Sequence, residues 1–572
     1  MNENVKIVFG LLGGLALFLY GMNGMSDALQ KTAGDKMKKI LSFLTKNPIM
    51  GALAGALVTA VLQSSSATTV MVIGFVSAGL MSLPQAISVI FGANIGTTMT
   101  AQLMAFKISD YIYPLIFIGF MMNFVCKKEQ LKNIGLVIFS FGILFEGIEI
   151  MGSVMKPLAT SAIFVDLMAK VKEIPILGVA LGTIMTLVVQ SSSATIAVLQ
   201  NFAAQPGPDG VTSVMGLAGA IPILLGDNIG TTITAILASI GQSKNAKRTA
   251  IAHSIFNITG SVVFLCVLPF FARFVQFISP KGNEIDVISR QIANAHTTFN
   301  IVCTLVWLPL IPLMVKIVTT IIRGNDKTEK AAFEPKYLDM KVIEQPAAAM
   351  VLVSKELNRL GELAESLLSD LKTAIVADGD SKTHGSFIEN LEIVHQLQDS
   401  VTEYITRLFA SGNLTEQQSE QTAGLLYVNN SIQRIADRCE DIDQICEKVN
   451  NNGKRLTSEA SSEMEDCIDI IQQLLKKAME AIRKGDAVVA ETVFENKKKM
   501  HKAEKKYSKA HLNRVKNEVC DASMTRYFSG IMYNFDRMAD NCVSIAEEAC
   551  DNVAFINLDE ETGKSMMERG AV

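Results

Sequence analysis

The sequence predicts an all-α protein in which a polytopic membrane part is followed by a helical domain outside the bilayer. The membrane part contains several apolar, almost uncharged runs of about the 20 residues that a spanning helix needs. From Arg323 onward, charged residues are dense, apolar residues recur at helical spacing, and no run is long enough to span. A long internal repeat within the membrane part predicts two copies of one folding unit.

The changes of composition and the repeat set the expected domain boundaries. The nine cysteines lack the spacing of a disulfide framework, which indicates reduced thiols. The first apolar run is too long for the apolar region of a signal peptide, so it predicts a retained spanning helix. The net charge of −4 identifies no partner, and no nucleic-acid partner is expected. The expected parts are a membrane domain at 1–323 (repeat one about 5–126, repeat two about 134–272, final helix 291–322), a linker at 324–345, a helical domain at 346–556 and a tail at 557–572.

Two polar motifs recur in the same order in both copies of the repeat. The run "QSSSAT" occupies Gln63–Thr68 and again Gln190–Thr195, each time inside an apolar stretch. Downstream, "GANIGTT" at Gly92–Thr98 matches "GDNIGTT" at Gly226–Thr232, and upstream "LFLYG" matches "ILFEG". Long motifs that recur in one order and at nearly one offset indicate a duplicated structure.

Basic segments predict the orientation, because Lys and Arg are enriched in the cytoplasmic loops of membrane proteins. Placing these segments inside gives the two repeats opposite topologies, as in many secondary transporters, with Pro48–Leu80 and Pro175–Ala204 as re-entrant hairpins. The C-terminal domain then lies in the cytoplasm, below the cell membrane, although Lys156, Lys170 and Lys172 fall outside. The basic segments are Lys31–Lys46, Lys127–Lys132, Lys244–Arg248 and Arg323. The expected crossings are Val5–Leu29, Pro84–Phe106, Tyr111–Cys126, Ile134–Met155, Val214–Ile240, Thr249–Phe271 and Gln291–Ile322.

The polar motifs predict interrupted helices inside the membrane. Backbone in hydrocarbon must be helical, buried in protein or next to a watery cavity. Because Ser, Thr and Asn cap helix starts, one half-helix is expected to end at Gln63 and the next to begin at Ser64–Ser66. Breaks are likewise expected in both "NIGTT" motifs, and the four breaks should meet near the midplane. Half-helix N-termini attract anions, whereas carbonyls and hydroxyls suit Na⁺, so the pattern predicts a site for an anion that travels with cations.

One acidic residue distinguishes the two copies. Asp227 is the only acid in the four motifs, and repeat one has Ala93 at the matching position. An acid there is suited to binding a cation or to adjusting the charge moved per cycle. Ser and Thr also occur where membrane helices pack closely, but the paired motifs favour a binding site. A Ser nucleophile is disfavoured, because neither hairpin has a His, Asp, Glu or Lys close to the Ser run.

A second, shorter duplication lies in the last two expected spans, as "AHSIFN" and "AHTTFN". Its histidines, His253 and His296, either relay protons or tie helices together, and the tie is the favoured reading. Asn257 and Asn300 are candidates to reach the site.

The duplicated "QSSSAT" and "NIGTT" motifs closely resemble those of the type II sodium/phosphate cotransporter family, over roughly residues 5–322. The resemblance implies a transporter, not an enzyme, that imports inorganic phosphate by alternating access, with Na⁺ as the coupling ion and no required cofactor. A membrane phosphate sensor and phosphate efflux are the alternatives. By position, the resemblance assigns phosphate and sodium binding to Gln63, Ser64, Ser65, Ser66, Thr68, Gln190, Ser191, Ser192, Ser193 and Thr195, and also to Asn94, Thr97, Thr98, Asn228, Thr231 and Thr232; Asp227 joins them because of its charge.

The C-terminal part predicts six amphipathic helices arranged as two bundles of three. "QRIADRCEDI" from Gln433 in the third helix matches "DRMADNCVSI" from Asp536 in the sixth. This part resembles the PhoU family of phosphate-signalling regulators, which implies a regulatory domain, a cytoplasmic regulatory partner and phosphate as the anion. Acids at i and i+4 in the family motif suit a divalent metal, although Gln433 departs from that pattern and acids also occur on solvated helix faces. The candidate metal ligands are Asp437, Asp441, Asp536 and Asp540.

Overall fold

The computed structural model describes residues 3–42, 47–106, 108–159, 170–171, 173–207, 209–324, 334–376 and 381–556. Residues 43–46 of the first basic segment, Lys172, residues 325–333 of the expected linker and the expected tail lie outside the described residues. The chain divides into two compact units, Met1–Asp326 and Lys327–Val572, and each has its own buried apolar cluster. Within the described ranges the β structure is limited to one isolated bridge, between Pro206 and Ser213.

The first unit is built from helices that are named here in chain order. They are α1 (Glu3–Ser42), α2 (Pro48–Leu62), α3 (Ser65–Ser77), α4 (Leu83–Met104), α5 (Ile112–Val125), α6 (Glu129–Ala159), α7 (Pro175–Val189), α8 (Ser192–Ala203), α9 (Gly216–Ser239), α10 (Lys244–Cys266), α11 (Leu268–Ile278), α12 (Glu284–Trp307) and α13 (Ile311–Ile321).

The first unit exposes many large apolar side chains on its surface, and it buries polar side chains beside its apolar core. On α2, Ile49, Leu53 and Leu57 recur every four residues and are exposed, whereas Thr59 on the other face is fully buried. An exposed apolar face of this kind is typical of a membrane protein, because hydrocarbon is a favourable environment for apolar side chains. The buried polar residues therefore lie in the protein interior, where any ion site must be.

Several helices meet the length and composition of a membrane span. Among the described residues these are four single helices: Val5–Ala33, Glu129–Met155, Gly216–Ser239 and Lys244–Cys266. Two further helix pairs, each bent by more than 40°, raise the number to six if each pair is one span. The short apolar helices α2, α3, α7 and Leu268–Ile278 (α11) are individually too short to cross, as expected for interrupted segments.

Two of the expected single crossings are wrong, because prolines interrupt them. The expected final helix 291–322 is two helices, since α12 ends at Trp307 and α13 starts at Ile311 after a bend of 85°. The expected span Thr249–Phe271 likewise ends at Cys266, and α11 begins at Leu268. Proline has no amide hydrogen and its ring clashes with the preceding turn, so Pro269 and Pro309 end these helices.

Reciprocal glycine contacts relate the two repeats by a local two-fold axis. A Cβ on Gly21 of α1 would lie 2.5 Å from the backbone nitrogen of Leu144 in α6. A Cβ on Gly147 of α6 would lie 2.5 Å from the backbone nitrogen of Phe18 in α1. Gly21 aligns with Gly147 in the repeat, and Phe18 aligns with Leu144. Exchanging the two copies therefore turns one contact into the other. Self-complementary contacts of this kind are the signature of two-fold symmetry.

The breaks expected at the two "NIGTT" motifs are wrong, because α4 and α9 run through them as continuous helices. The glycines serve close packing instead. A Cβ on Gly92 would lie 1.8 Å from the oxygen of Ala52, and one on Gly226 would lie 2.0 Å from the oxygen of Val179. The backbone of α2 thus touches α4, and that of α7 touches α9, which only glycine permits at these positions.

The second unit consists of six long helices in two bundles of three, as the sequence predicts. The helices of the first bundle contact one another, as do those of the second, and the bundles join where α16 packs on α19 and α14 packs on α17. A capping box of Thr415 with Gln418 fixes the start of α16, and Gly485 in the left-handed region ends α17. The helices are α14 (Pro346–Val376), α15 (Ser381–Ala410), α16 (Glu416–Asn451), α17 (Ser458–Lys484), α18 (Ala487–Lys516) and α19 (Met524–Cys550).

Candidate functional site

Each serine run is a helix break, as predicted, and its residues cap both helix ends. Gln63 ends α2 in the left-handed region with φ of 50°, and Gln190 ends α7 in the same way with φ of 57°. Each glutamine side chain donates to the carbonyl three residues earlier in its own helix. A non-glycine residue with positive φ is uncommon and costs about 1–3 kcal/mol, so the surrounding structure holds both breaks in place.

The residue after each glutamine starts the next helix. Ser64 accepts a hydrogen bond from the amide of Ala67 at 3.2 Å, and Ser191 accepts one from the amide of Ala194 at 3.3 Å. Capping of this kind satisfies one helix-start amide, while the two amides before it have no carbonyl within their own helix. Both breaks therefore present backbone donors and the positive end of a helix dipole.

The serines that follow carry free hydroxyls. Within the described part of the chain, the hydroxyls of Ser65, Ser192 and Ser193 have no hydrogen-bond partner, and Ser65 and Ser193 are nonetheless buried. None of the three oxygens is among the buried polar atoms that lack a partner, so these hydroxyls are accessible to a ligand. They lie at the same helix starts as the backbone donors.

The threonines of the "NIGTT" motifs are occupied by their own helices. Each hydroxyl donates a hydrogen bond to the backbone carbonyl three or four residues earlier in its own helix. The residues are Thr97, Thr98, Thr231 and Thr232. These bonds are typical of Ser and Thr within helices and leave the hydroxyl oxygens only as acceptors. The motif threonines thus form no second set of helix starts, and the described residues contain two breaks of this type where four were expected.

Contacts join the two motifs within and between the repeats. Thr100, two residues after the first "NIGTT", donates to the side-chain oxygen of Gln63 at 2.8 Å. Its counterpart Thr234, in the second repeat, lies 3.1 Å from the hydroxyl of Ser66 in the first. Helix α3 packs on α9 and α8 packs on α4, so each serine helix lies against the "NIGTT" helix of both copies. Among the described residues, no hydrogen bond links the two serine runs directly.

A threonine four residues before each glutamine supports the break from behind. Thr59 donates to Thr68 at 2.9 Å, and Thr186 in the same position of repeat two lies 3.1 Å from the hydroxyl of Thr195. Thr186 also donates to Asp227 at 2.6 Å, a contact without a counterpart in repeat one. Sequence reasoning did not single out Thr59, Thr186, Thr100 or Thr234. The signal was present, because each pair is identical in the aligned repeats.

The two histidines tie helices together, which is the favoured reading of the sequence. The Nε2 atom of His253 in α10 lies 3.1 Å from the side-chain oxygen of Asn94 in α4. The Nε2 atom of His296 in α12 lies 3.3 Å from the side-chain oxygen of Asn228 in α9. All four residues are buried, so the asparagines of both "NIGTT" motifs are held by a neighbouring helix. The amides of Asn257 and Asn300 donate to the carbonyls of the two histidines.

The two breaks differ in exposure. The Gln63 side chain is buried, with 7% of its surface exposed, and its oxygen is bonded to Thr100. Gln190 is exposed and bonds only within its own helix among the described contacts. The structure is therefore asymmetric about the local two-fold axis, with repeat one closed around its break and repeat two open at the same position.

The structure gives the metal hypothesis for the second unit no support. Asp437 lies 3.1 Å from His395, Asp441 lies 2.7 Å from Arg438, and Asp540 pairs with Lys497 and Arg537. Asp536 lies beside Arg537 at 3.9 Å, with one buried oxygen unbonded. Cationic neighbours thus compete for the carboxylates, and no group of three or more His, Cys, Asp or Glu residues capable of holding a metal occurs in the described ranges.

Comparison with known proteins finds two families. Residues 17–153 and 147–281 match the Na⁺/Pi-cotransporter family, and residues 357–445 and 464–549 match the PhoU domain. In both cases a family unit matches twice, in agreement with the duplications described above.

Individual relatives cover different parts of the chain. The uncharacterized protein YqeW of Bacillus subtilis is 34% identical over 266 residues, which are 46% of this chain and 84% of that protein. The "Putative inorganic phosphate export protein YjbB" of Salmonella typhimurium is 23% identical over 97% of this chain and 99% of its own length. The sodium-dependent phosphate transport protein 2A of Rattus norvegicus is 39% identical over 99 residues, 17% of this chain and 15% of that protein. No solved structure matches the chain.

Proposed function

The chain belongs to the Na⁺/Pi-cotransporter family and carries a PhoU domain after its membrane part, and from this premise we propose that it imports inorganic phosphate with Na⁺ by alternating access. The observation that carries the proposal is the pair of capped helix breaks, at which free serine hydroxyls accompany helix-start amides. One relative is named for sodium-dependent phosphate transport, and this supports Na⁺ as the coupling ion. The family is one of transporters rather than enzymes.

Phosphate is bound in this proposal by the two helix starts. The hydroxyls of Ser65, Ser192 and Ser193 and the adjacent amides are neutral donors, and the helix ends add partial positive charge. Ser66, which bonds to Thr234 across the repeats, couples the two halves. A donor set without Lys or Arg holds an anion without a fixed positive charge, which favours release on the other side. Asp227 contributes a negative charge, which is suited to a cation. The remaining residues shape the site: the caps Gln63, Ser64, Gln190 and Ser191, the supporting Thr68 and Thr195, and Asn94, Thr97, Thr98, Asn228, Thr231 and Thr232.

Alternating access follows in this proposal from the asymmetry between the repeats. Repeat one is closed around Gln63 and repeat two is open at Gln190. Exchange of these two arrangements between the repeats would expose the loaded site on the opposite side of the membrane, as in other transporters built from inverted repeats. Sodium ions bind first and neutralise the oxygen-rich ends, phosphate follows, and both leave after the exchange.

Phosphate export is a second candidate. A relative that is similar over nearly the whole chain, including the second unit, is named for inorganic phosphate export. The same site serves either direction, because the net flux of a symporter follows the sum of the Na⁺ and phosphate driving forces. The PhoU domain, proposed to lie in the cytoplasm, is then the element that adjusts transport to the phosphate supply through a regulatory partner.

Labelled phosphate flux in proteoliposomes tests the proposal. With inward Na⁺ and phosphate gradients, uptake should exceed that measured when K⁺ replaces Na⁺, and phosphate-loaded vesicles with an outward Na⁺ gradient should show export. Uptake that is indifferent to Na⁺ would contradict symport, and binding without net flux would favour a phosphate sensor.

Substitutions at the helix starts identify the site. Ser65→Ala and Ser192→Ala should each lower uptake, by roughly 10- to 150-fold, because one charge-assisted hydrogen bond is worth about 1.5–3 kcal/mol. Ser153→Ala is the matched control, since this exposed serine of α6 bonds only to its own helix in the described contacts. Equal uptake by Ser192→Ala and Ser153→Ala would remove the second serine run from the phosphate site.

A further inference from the structure

Asp227 lies in a cluster of oxygen atoms in which hydrogen-bond acceptors outnumber the hydroxyl hydrogens that can be donated to them. The Thr186 hydroxyl has one hydrogen, yet three acceptors lie within reach: Asp227 at 2.6 Å, the Gly182 carbonyl at 3.0 Å and Thr195 at 3.1 Å. The Thr195 hydroxyl is directed at the Ser191 carbonyl at 3.2 Å. Thr186 can therefore supply one of three neighbours at a time.

The carboxylate itself is left almost unpartnered. Asp227 is fully buried, its second oxygen has no hydrogen-bond partner, and no Lys, Arg or His side chain contacts it among the described residues. Burying an ionised carboxylate without a counter-charge is very unfavourable, so such groups are paired, protonated or bound to a cation. The chain supplies a single hydroxyl donor and no positive charge.

The equivalent place in repeat one lacks this excess of oxygen. Thr59 donates to Thr68 at 2.9 Å, and Thr68 donates to the Ser64 carbonyl at 3.2 Å. Each of these two hydroxyl hydrogens thus has one acceptor. The position that matches Asp227 is occupied by Ala93, whose side chain is a methyl group. The two copies thus share the threonine pair and differ by one carboxylate.

We propose that Asp227, Thr186 and Thr195 form a binding site for one Na⁺ in repeat two, and that repeat one has no such site at the matching position. Carboxylate, hydroxyl and carbonyl oxygens are the ligands that hard cations prefer. The site lies directly behind the second serine run, because Thr195 belongs to the same helix start as Ser192. A cation there neutralises the carboxylate that would otherwise repel an arriving phosphate. The assignment deepens the proposed function and rests on it for the role of the ion in coupling.

The chain offers a test that does not depend on transport. Thermal unfolding of the purified full-length chain is followed while NaCl replaces KCl at constant ionic strength. A ligand that binds only the folded state raises the unfolding temperature, so Na⁺ should stabilise the wild-type chain. Asp227→Asn keeps the shape of the side chain and should abolish the stabilisation, or raise the Na⁺ concentration for half of it by more than about tenfold, since loss of even a second-shell partner costs about 10–100-fold in metal affinity.

Two further variants keep the test decisive if Asp227→Asn fails to fold. Thr186→Val removes a proposed ligand and should raise the half-maximal Na⁺ concentration, whereas Thr59→Val, the matched change in repeat one, should leave it within about twofold. A wild-type chain that is indifferent to Na⁺, equal titrations of Asp227→Asn and wild type, or equal effects of the two valine variants would each overturn the assignment.

Transport data separate failure of this site from failure of the proposed function. Na⁺ stabilisation that Asp227→Asn lacks, together with phosphate flux that ignores Na⁺, would keep the site and refute symport. Na⁺-driven flux that keeps the same Na⁺ dependence in Asp227→Asn would keep symport and refute the site.

Discussion

Gly182→Ala should separate the two helices that hold Asp227 against Thr186. A Cβ on Gly182 of α7 would lie 1.9 Å from the Ile223 oxygen and 3.0 Å from the Asp227 nitrogen, both in the backbone of α9. Real Cβ atoms essentially never come within 3.0 Å of a non-bonded heavy atom, so relieving the 1.9 Å contact requires the helices to move apart by about 1.1 Å. Rotation of a side chain cannot relieve the contact, because the obstructing atoms are backbone.

The shift has a cost in stability and a cost at the site. Overpacking of a close helix contact costs about 1–3 kcal/mol, more than the roughly 1 kcal/mol that Ala gains over Gly within a helix. The hydrogen bond from Thr186 to Asp227 is 2.6 Å long, and the same shift carries it beyond hydrogen-bond distance. Gly182→Ala should therefore lower both the unfolding temperature and the Na⁺ affinity.

Thermal unfolding and Na⁺-dependent uptake measure the two effects. Gly13→Ala is the control, because a Cβ on this glycine of α1 meets nothing within 4 Å. Gly55→Ala, whose Cβ would lie 2.1 Å from the Val89 oxygen in repeat one, should cost similar stability and less Na⁺ affinity. A Gly182→Ala variant as stable and as active as Gly13→Ala would refute the close-packing argument.

Two further predictions concern the contact between the repeats and the second unit. Ser66→Ala and Thr234→Val should not be additive, since their hydroxyls lie 3.1 Å apart, and a double-mutant cycle on unfolding free energy should give a coupling of about 0.5–1.5 kcal/mol; additive effects would contradict the contact. Asp437 raises the pKa of His395 above 6.5 through its hydrogen bond, so protonation of His395 stabilises the folded chain at low pH, and this contribution is lost as pH rises through the raised pKa. His395→Gln should remove that part of the pH dependence of the unfolding temperature, and a variant curve parallel to wild type would contradict it.

The serine-run breaks were predictable because the residues at both ends have one dominant local role. The serine at the helix start accepts from a free amide, and the glutamine before it donates to a carbonyl of the helix that ends there, so both side chains of Gln63–Ser64 stabilise a break. The bundles of the second unit were predictable for a similar reason, since their apolar periodicity is regular and their boundaries carry caps.

The "NIGTT" breaks were wrong because glycine has two roles that look alike in a sequence. Gly92 and Gly226 could loosen a helix or let another backbone approach, and only the position of the neighbouring helix decides between these roles. The ends of α10 and α12 were missed for the opposite reason, because apolar composition outweighed Pro269 and Pro309. Local composition sets where a helix can exist, whereas tertiary contacts and prolines set where it ends.

The supporting threonines and the oxygen cluster around Asp227 lay beyond the motif-based reading. Thr59 and Thr186 are ordinary helix residues in isolation, and their contacts depend on how α2 meets α3 and how α7 meets α8 and α9. Aligning every position of the two copies, rather than the motifs alone, would have shown these threonines to be identical.

The reciprocal contact between Gly21 and Gly147 has a consequence for how such a molecule can diversify. A homodimer with the same two-fold interface would be obliged to carry identical side chains on both sides of its axis, because one gene would encode both. Joining the halves in one polypeptide frees them to diverge, while the shared glycine interface keeps their geometry matched. The methyl group of Ala93 in repeat one and the carboxylate of Asp227 at the matching position in repeat two are a difference that a homodimer could not carry.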